Sequence, residues 1–418
     1  MTKNWLNDTD GEWTTPGNWS GGTVPSSSDD VVINTADFHT IDYSNSGNTV
    51  TVNSLSVGND AFTATAGTLI VSNAATFANT LKVQNAVLTL DGTSSVTGLY
   101  TQLNGTLGGP GTVTLAGGAA FTGGQMLMSG SGTAVLQGAS TLTSGGIFLD
   151  GGYVLENQGT FTESQTTSIT LGENPAGGTL GGGKLQNDAS GTIVFNNTST
   201  DTALSANSGT VSFTNAGAVQ NTGLGGDTRI NVTFTDTGSG SVSVMAGEFD
   251  LNGGGSSSAT AFSVASGTTL GFNANGSGDT FTLSGGTSAG AGTVFLESGE
   301  LSITGATTIE NLFKQTGGEV AGATTFTLAG GAQFAGGSML MTGTGTTVLE
   351  GTSTLSSGAL DIDGGYVLEN KGTFTENGSV SINLGENPFS TSLGGGTLKN
   401  DAGATIIFNN AFNDTAVQ

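Results

Sequence analysis

The chain has 418 residues, 73 of them glycine, with a formal net charge of −25 and no cysteine. Seven lysines and arginines against 32 acidic residues leave no clustered cations for nucleic acid or anionic lipid, so neither is expected as a partner. The missing thiols exclude a disulfide framework and thiolate metal sites, and no run of about 18 apolar residues is present to insert into a membrane as a helix. Glycine-rich, weakly charged chains can be disordered, but a mean hydropathy of +0.03 and 21 phenylalanines supply apolar surface to bury.

Residues 1–50 differ from the rest. They hold all three tryptophans, Trp5, Trp13 and Trp19, with Pro16, Pro25 and the run Asp29-Asp30-Val31-Val32-Ile33. A stacked sheet leaves an open edge at its first turn, and bulky aromatics laid over it block pairing with another chain. The segment therefore reads as an N-terminal aromatic cap, with a sugar-stacking platform as the functional alternative. Asp8, Asp10 and Glu12 open an acidic loop and are the candidate calcium ligands, although the other ligands of a twelve-residue calcium loop do not follow. His39, the one histidine, lies near Asp37 and Asp42 and is read as solvated or capping. Neither a basic n-region nor an apolar h-region of a secretion leader opens the chain, so export is expected to use a removed leader or a signal elsewhere.

From Thr51 the chain alternates apolar and polar residues with the period of a strand, as in Val50, Val52, Leu55 and Val57. The organising feature follows. Tyr-Val-Leu-Glu-Asn-Gln-Gly-Thr-Phe-Thr-Glu at 153–163 recurs at 366–376 with Lys371 for Gln158, a displacement of 213 residues. The same displacement carries TLAGGAAF at 114 to TLAGGAQF at 327, LGENP at 171 to 384, and IVFNN at 193 to IIFNN at 406. An ungapped register through so many loop residues means that each copy is the same stack of small units. The expected division is a capping segment 1–50, a first copy 51–263 and a second copy 264–418, which stops inside the repeat and is expected to continue in a longer protein.

Each repeated phrase reads as strand, Asn-Gly corner, strand, because Asn and Gly accept positive φ while Thr and Phe favour pleated backbone. Corners recur about every 18 to 30 residues, and no helical period interrupts them. The fold class expected is all-β, a right-handed parallel β-helix (solenoid) of roughly 17 to 20 turns. Phe121, Phe161, Phe195 and Phe213 are expected in apolar columns, with Met126, Met128, Met339 and Met341 as inward neighbours. Asn157, Asn187, Asn370 and Asn400 are expected to form side-chain amide ladders along the corner.

Chemistry-bearing residues are sparse. Arg229, the one arginine, sits in Gly-Gly-Asp-Thr-Arg-Ile-Asn, where Asp227 can pair with it. Asp361 and Asp363 project from one strand face and read as surface charge, with Asp150 alone retained in the other copy. Threonine pairs such as Thr112/Thr114 and Thr141/Thr143 suggest an ice-binding file, which an irregular turn length disfavours. The Gly-His-Gly step of pectin hydrolases is missing. No catalytic or cofactor-binding residue is expected.

The opening Trp13, Asn18-Trp19, Gly22, Pro25, Asp29-Asp30-Val31-Val32-Ile33, with the later Gly-Thr-Val-Thr-Leu-Ala-Gly-Gly and Leu-Glu-Asn-Gln-Gly-Thr-Phe words, resembles the repeat regions of very large bacterial exoproteins. These are of the filamentous-haemagglutinin, autotransporter-passenger and type I secreted adhesin kind. The resemblance implies a right-handed β-helix, an extracellular or cell-surface location, and a role in adhesion, biofilm or surface-layer architecture, with surface glycans or copies of the chain itself as partners. The alternative is a polysaccharide-binding or polysaccharide-cleaving β-helix protein.

Overall fold

The computed structural model describes residues 1–164, 167–223, 226–258, 261–273, 279–409 and 416–417. The end of the expected second copy, from Asn410 to Thr415 and at Gln418, lies outside the described residues. The chain is a parallel β-solenoid of about 16 turns, gathered into two compact units, Met1–Gly217 and Ala218–Gln418. The 3-10 turn Pro16–Asn18 is the one helical element among the described residues. There are somewhat fewer turns than the corner spacing predicts, because some turns carry long excursions. Successive turns are separated by 19 residues where Ala75 N–H meets Ser94 Oγ, but by 30 where Asn157 meets Asn187.

From Ala75–Phe77 onward in the first unit each turn contains three strands, so each strand pairs with the third one after it. Ser94–Val96, Tyr100–Gln102 and Gly105–Gly108 lie against Thr112–Leu115, Ala119–Phe121 and Gln125–Ser129, all in parallel register. Two-residue alternation decides which side chains enter: Tyr153, Leu155 and Asn157 are buried, and Val154 and Glu156 between them are partly exposed. The second unit repeats the arrangement, with Thr346–Leu349 on Val367–Asn370 and Thr397–Asn400 beyond.

The inward phenylalanines and methionines are buried as expected, yet their files are not apolar throughout. The register places Gln102 beneath Phe121, then Leu142, Glu163 and Phe195 in one file. The second unit repeats it as Gln315, Phe334, Leu355, Glu376 and Phe408. Gln102 meets its amide needs inside, donating to the carbonyls of Gly105 (3.2 Å) and Leu127 (3.1 Å) and accepting from Tyr100 Oη (3.0 Å). Buried Ser140 and its repeat Ser353 each accept a backbone N–H from the preceding turn, at 3.0 Å from Ala119 and from Ala332.

The corner amides form the expected ladder. Asn157 Nδ2 donates to Asn187 Oδ1, and Asn187 Nδ2 to Asn215 Oδ1, each at 2.7 Å; Asn370 donates to Asn400 at the same distance. Threonine files do not persist: Thr133 above Thr112 is followed by Val154, and Thr162 above Thr141 by Val194.

At the N-terminal end the ladder begins at once, since Thr2–Asn4 pairs with the Asp30–Ile33 strand and Gly11–Glu12 with Ile41 and Asp42. The indoles pack edge to face, Trp13 to Trp19 at 4.8 Å and Trp5 to Trp19 at 5.0 Å, and Trp13 continues onto Phe62 at 5.9 Å. Trp5, Trp13 and Trp19 are 6%, 0% and 1% exposed, which leaves no ring face for a sugar and overturns the stacking-platform alternative.

Asp29 leads into the Asp30–Ile33 strand, whose Val32 carbonyl accepts the Trp5 N–H at 2.9 Å, and it accepts both the N–H and the hydroxyl of Ser26 at 2.8 Å. Those bonds, the Ser26 hydroxyl foremost, hold its carboxyl below the usual range. A depressed carboxyl pKa contributes stability above the unfolded value of about 3.9, lost as pH falls through the folded value. Because every tryptophan lies in this cluster, indole emission reports it alone. Below about pH 4 the emission is expected to shift to the red before far-UV circular dichroism changes. Asp29→Asn should advance the indole transition on heating at pH 7; coincident transitions unaffected by the substitution would contradict this.

Candidate functional site

The second unit brings together the residues that the sequence leaves scattered. Asp227 and Arg229 lie on strand Asp227–Asn231 and point outward, because Thr228 and Ile230 take the buried positions. The parallel register sets Asp227 against Glu248 and Arg229 against Asp250 on the next turn. Asp227, Glu248 and Asp250 each present a carboxylate oxygen within 4.8 Å of the others, the one such convergence of three histidine or acidic side chains among the described residues. Arg229 Nη2 donates to Asp227 Oδ2 at 2.9 Å, the pairing expected from sequence.

Burial shapes the electrostatics. Asp250 is 6% exposed and accepts from Asn273 Nδ2 at 3.2 Å. Its carboxylate lies over Gly271, where a Cβ would fall 2.1 Å from Asp250 Oδ1, so only glycine leaves it room. Burial, together with the neighbouring Glu248 and Asp227 charges, pushes the Asp250 carboxyl up to about 7 against the pull of Arg229. Glu248 is raised as well, by burial first and then by Asp227. Further along the same face Lys314 Nζ stands 5.1 Å from the centre of the Phe295 ring. Two shallow depressions run along it, of about 270 Å³ beside Asp227 and Glu248 and about 230 Å³ between Glu248, Phe295 and Lys314. Three carboxylates, a guanidinium and a partly exposed ring on one face can take a cation or the hydroxyl and carboxylate groups of a sugar.

A second feature occurs in both copies. The excursions after Leu171 and Leu384 fold as matching loops: Ala176 N–H donates to Asn174 Oδ1 (3.0 Å), as Phe389 N–H donates to Asn387 Oδ1 (2.9 Å). Asp150 anchors the first loop by accepting the N–H of Leu180 (3.0 Å) and Gly181 (2.7 Å), and Asp363 the second from Leu393 (2.8 Å) and Gly394 (2.6 Å). The surface-charge reading of Asp361 and Asp363 is thereby corrected. They are 3% and 0% exposed, and Asp361 accepts from Asn383 Nδ2 at 2.7 Å. Burial works to raise the Asp363 carboxyl, but the N–H donors outweigh it and its pKa is lowered.

Each loop roofs a cleft, and the two clefts differ in chemistry. The first, about 430 Å³, is lined by Asn104, Thr106, Gln125 and Ala176; the second, about 420 Å³, by Glu297, Glu300, Glu319 and the exposed Phe389. Leu180 and Leu393, at matching loop positions, are 72% and 78% exposed.

At the N-terminal end Asp8 and Asp10 flank His39, with Asp8 Oδ1 3.3 Å from Nε2 and Asp10 Oδ1 3.8 Å from Nδ1. Asp10 also accepts the Thr40 N–H at 2.8 Å, and Glu12 is raised by burial and then by Asp42. No family model matches the chain, and neither the curated proteins nor the solved structures supply a match.

Proposed function

We propose that this chain is a structural or adhesive stalk segment of a large secreted or cell-surface bacterial protein, serving adhesion, biofilm or surface-layer architecture without catalysis. Surface glycans or further copies of the chain are its proposed partners. The observation that supports this reading is that the two copies preserve internal scaffolding while varying what they present. Ser140 and Ser353, the Asn157 and Asn370 ladders, and the Asp150 and Asp363 loop anchors correspond one for one. Thr106 and Ala176 give way to Glu319 and Phe389 at the clefts. Duplicated scaffold with altered display suits a presenting surface.

A second reading, polysaccharide binding or cleavage, is favoured by the convergence of Asp227, Glu248 and Asp250 beside Arg229. One variant bears on both. Removing residues 114–326 joins Val113 to Thr327, restores the Thr-Leu-Ala-Gly-Gly word and deletes all four of those residues. On the stalk reading the shortened chain folds cooperatively, with far-UV circular dichroism per residue unchanged, and collapse of the chain would sink it. Release of unsaturated ends from a polyuronate by the full chain, lost on deletion, would establish the second reading instead.

A further inference from the structure

Inside the first unit lies a polar cluster that the ladders and loops do not use. Glu163 is 0% exposed, at the inward position above Leu142. Thr167 Oγ1 donates to its Oε1 at 2.5 Å, while Oε2 has no hydrogen-bond partner. The register sets Ser164 against Asn196, which brings Asn197 to the same end of the turn. Asn197 is 2% exposed, and although neither Oδ1 nor Nδ2 makes a bond of full hydrogen-bond geometry, its amide is close enough to act on the Glu163 carboxyl as a donor that lowers its pKa. Asp201, at the start of strand Asp201–Ala206, adds a second carboxylate that acts on Glu163, and its Oδ2 is likewise buried without a partner.

Three buried oxygens from three side chains, Glu163 Oε2, Asn197 Oδ1 and Asp201 Oδ2, therefore lack a well-formed hydrogen bond. Leaving a buried polar group unmatched is unfavourable, and more so for a charged one. Burial accordingly pushes the Glu163 carboxyl up to about 8, with Asp201 adding to the effect and the Thr167 hydroxyl and Asn197 amide opposing it. What satisfies two carboxylates and an amide oxygen together is a hard divalent cation.

The duplication supplies an independent observation. Displaced by 213 residues, Glu163, Asn197 and Asp201 become Glu376, Asn410 and Asp414. Between the last two, all three intervening residues differ: Thr198, Ser199 and Thr200 become Ala411, Phe412 and Asn413. Asn410 and Asp414 lie outside the described residues, but their identities are kept on either side of the three changed positions, as are those of the flanking Asn409 and Thr415. Glu376 is 0% exposed, like Glu163.

We propose that Glu163, Asn197 and Asp201 form a buried site for a calcium-class cation in the first unit, which ties strand Thr160–Ser164 to the start of the next turn. Side chains supply oxygen alone, and their two negative charges match a divalent ion; calcium completes its six to eight ligands from backbone carbonyls and water. Placed between turns rather than on a face, the ion is a structural one.

The test is equilibrium dialysis of the intact, chelator-treated chain against radioactive calcium in 0.5 M salt, where diffuse attraction to the acidic surface is screened. Binding is expected with a Kd at or below roughly 10⁻³ M, the range of extracellular calcium modules. Glu163→Gln and Asp201→Asn should each lose one equivalent of bound calcium, while Glu310→Gln, at an exposed carboxylate outside both acidic clusters, should lose none. Calcium should also raise the thermal midpoint of the intact chain, and the rise should shrink in Glu163→Gln. That variant replaces a carboxyl that burial drives toward its neutral form with a neutral amide, and it is expected to fold without calcium at least as well as the parent. Equal stoichiometry in the parent and both cage variants, or a stability gain on Glu163→Gln with no change in calcium response, would overturn the site.

Discussion

Asn187→Leu is expected to lower the stability of the first unit by roughly 3–5 kcal/mol, whereas the matching Asn400→Leu should cost less than about 1 kcal/mol. Asn187 is 1% exposed and sits in the middle of its ladder, accepting from Asn157 and donating to Asn215, both at 2.7 Å, and to the Gly191 carbonyl at 3.3 Å. Leucine is close in volume but breaks all three bonds, and the Asn215 oxygen and Gly191 carbonyl it abandons are enclosed by the next corner. Gly191 and Gly217 crowd the same amide, at 2.4 and 2.9 Å from where their Cβ atoms would be, so the corner cannot relax easily around a branched apolar group. Asn400 makes the corresponding bond to Asn370, but it is exposed, and water replaces what is lost. Urea unfolding of the two variants measures the difference. Equal losses would mean that the ladder is incidental to the stacking of turns.

Gly145→Val is the other substitution with a large expected effect, on the order of 3 kcal/mol or more. Gly145 has a φ of +73°, and a Cβ there would stand 1.8 Å from the Gly123 carbonyl oxygen and 2.3 Å from that of Gly124. The obstacle is backbone of the preceding turn, which can move only by opening the ladder. Gly152 provides the control: its φ is +89° with nothing near the Cβ position, so Gly152→Ala should cost only the left-handed strain, about 1 kcal/mol. If both variants unfold at the same urea concentration, the close stacking of corners is not what selects glycine at 145. Gly358, the repeat of Gly145, faces Gly336 and Gly337 carbonyls at 1.9 and 2.0 Å and should behave alike.

Much of the scaffold could be read along the chain, and the reasons are local. Asn157 and Asn187 could be placed in one ladder because the same Asn-Gly corner returns at a near-constant interval and identical corners stack. Tyr153, Leu155 and Phe161 could be placed inside because they fall on alternate positions of strongly pleated stretches. The same parity argument, applied to charge, would have found Glu163: it lies two residues after the inward Phe161 and therefore shares its side. Default expectation puts carboxylates outside, and that expectation hid both Glu163 and Glu376. The role of Asp363 was hidden differently. Its partners Leu393 and Gly394 lie 30 and 31 residues on, across a loop whose path no strand period describes.

Composition, the two-residue alternation and the 213-residue period were enough to determine a parallel stack of short strands, its apolar lining and its amide ladders, because each follows from backbone preference and side-chain parity near the residue concerned. The tertiary structure alone decided that Asp227, Arg229, Glu248 and Asp250 meet on one face, that the loops after Leu171 and Leu384 roof clefts, and that the buried Glu163 carboxyl feels both the Asn197 amide and the Asp201 charge. The physical reason is register. Residues on successive turns are neighbours only once the length and path of every intervening corner are set, and those lengths here run from 19 residues to as many as 36.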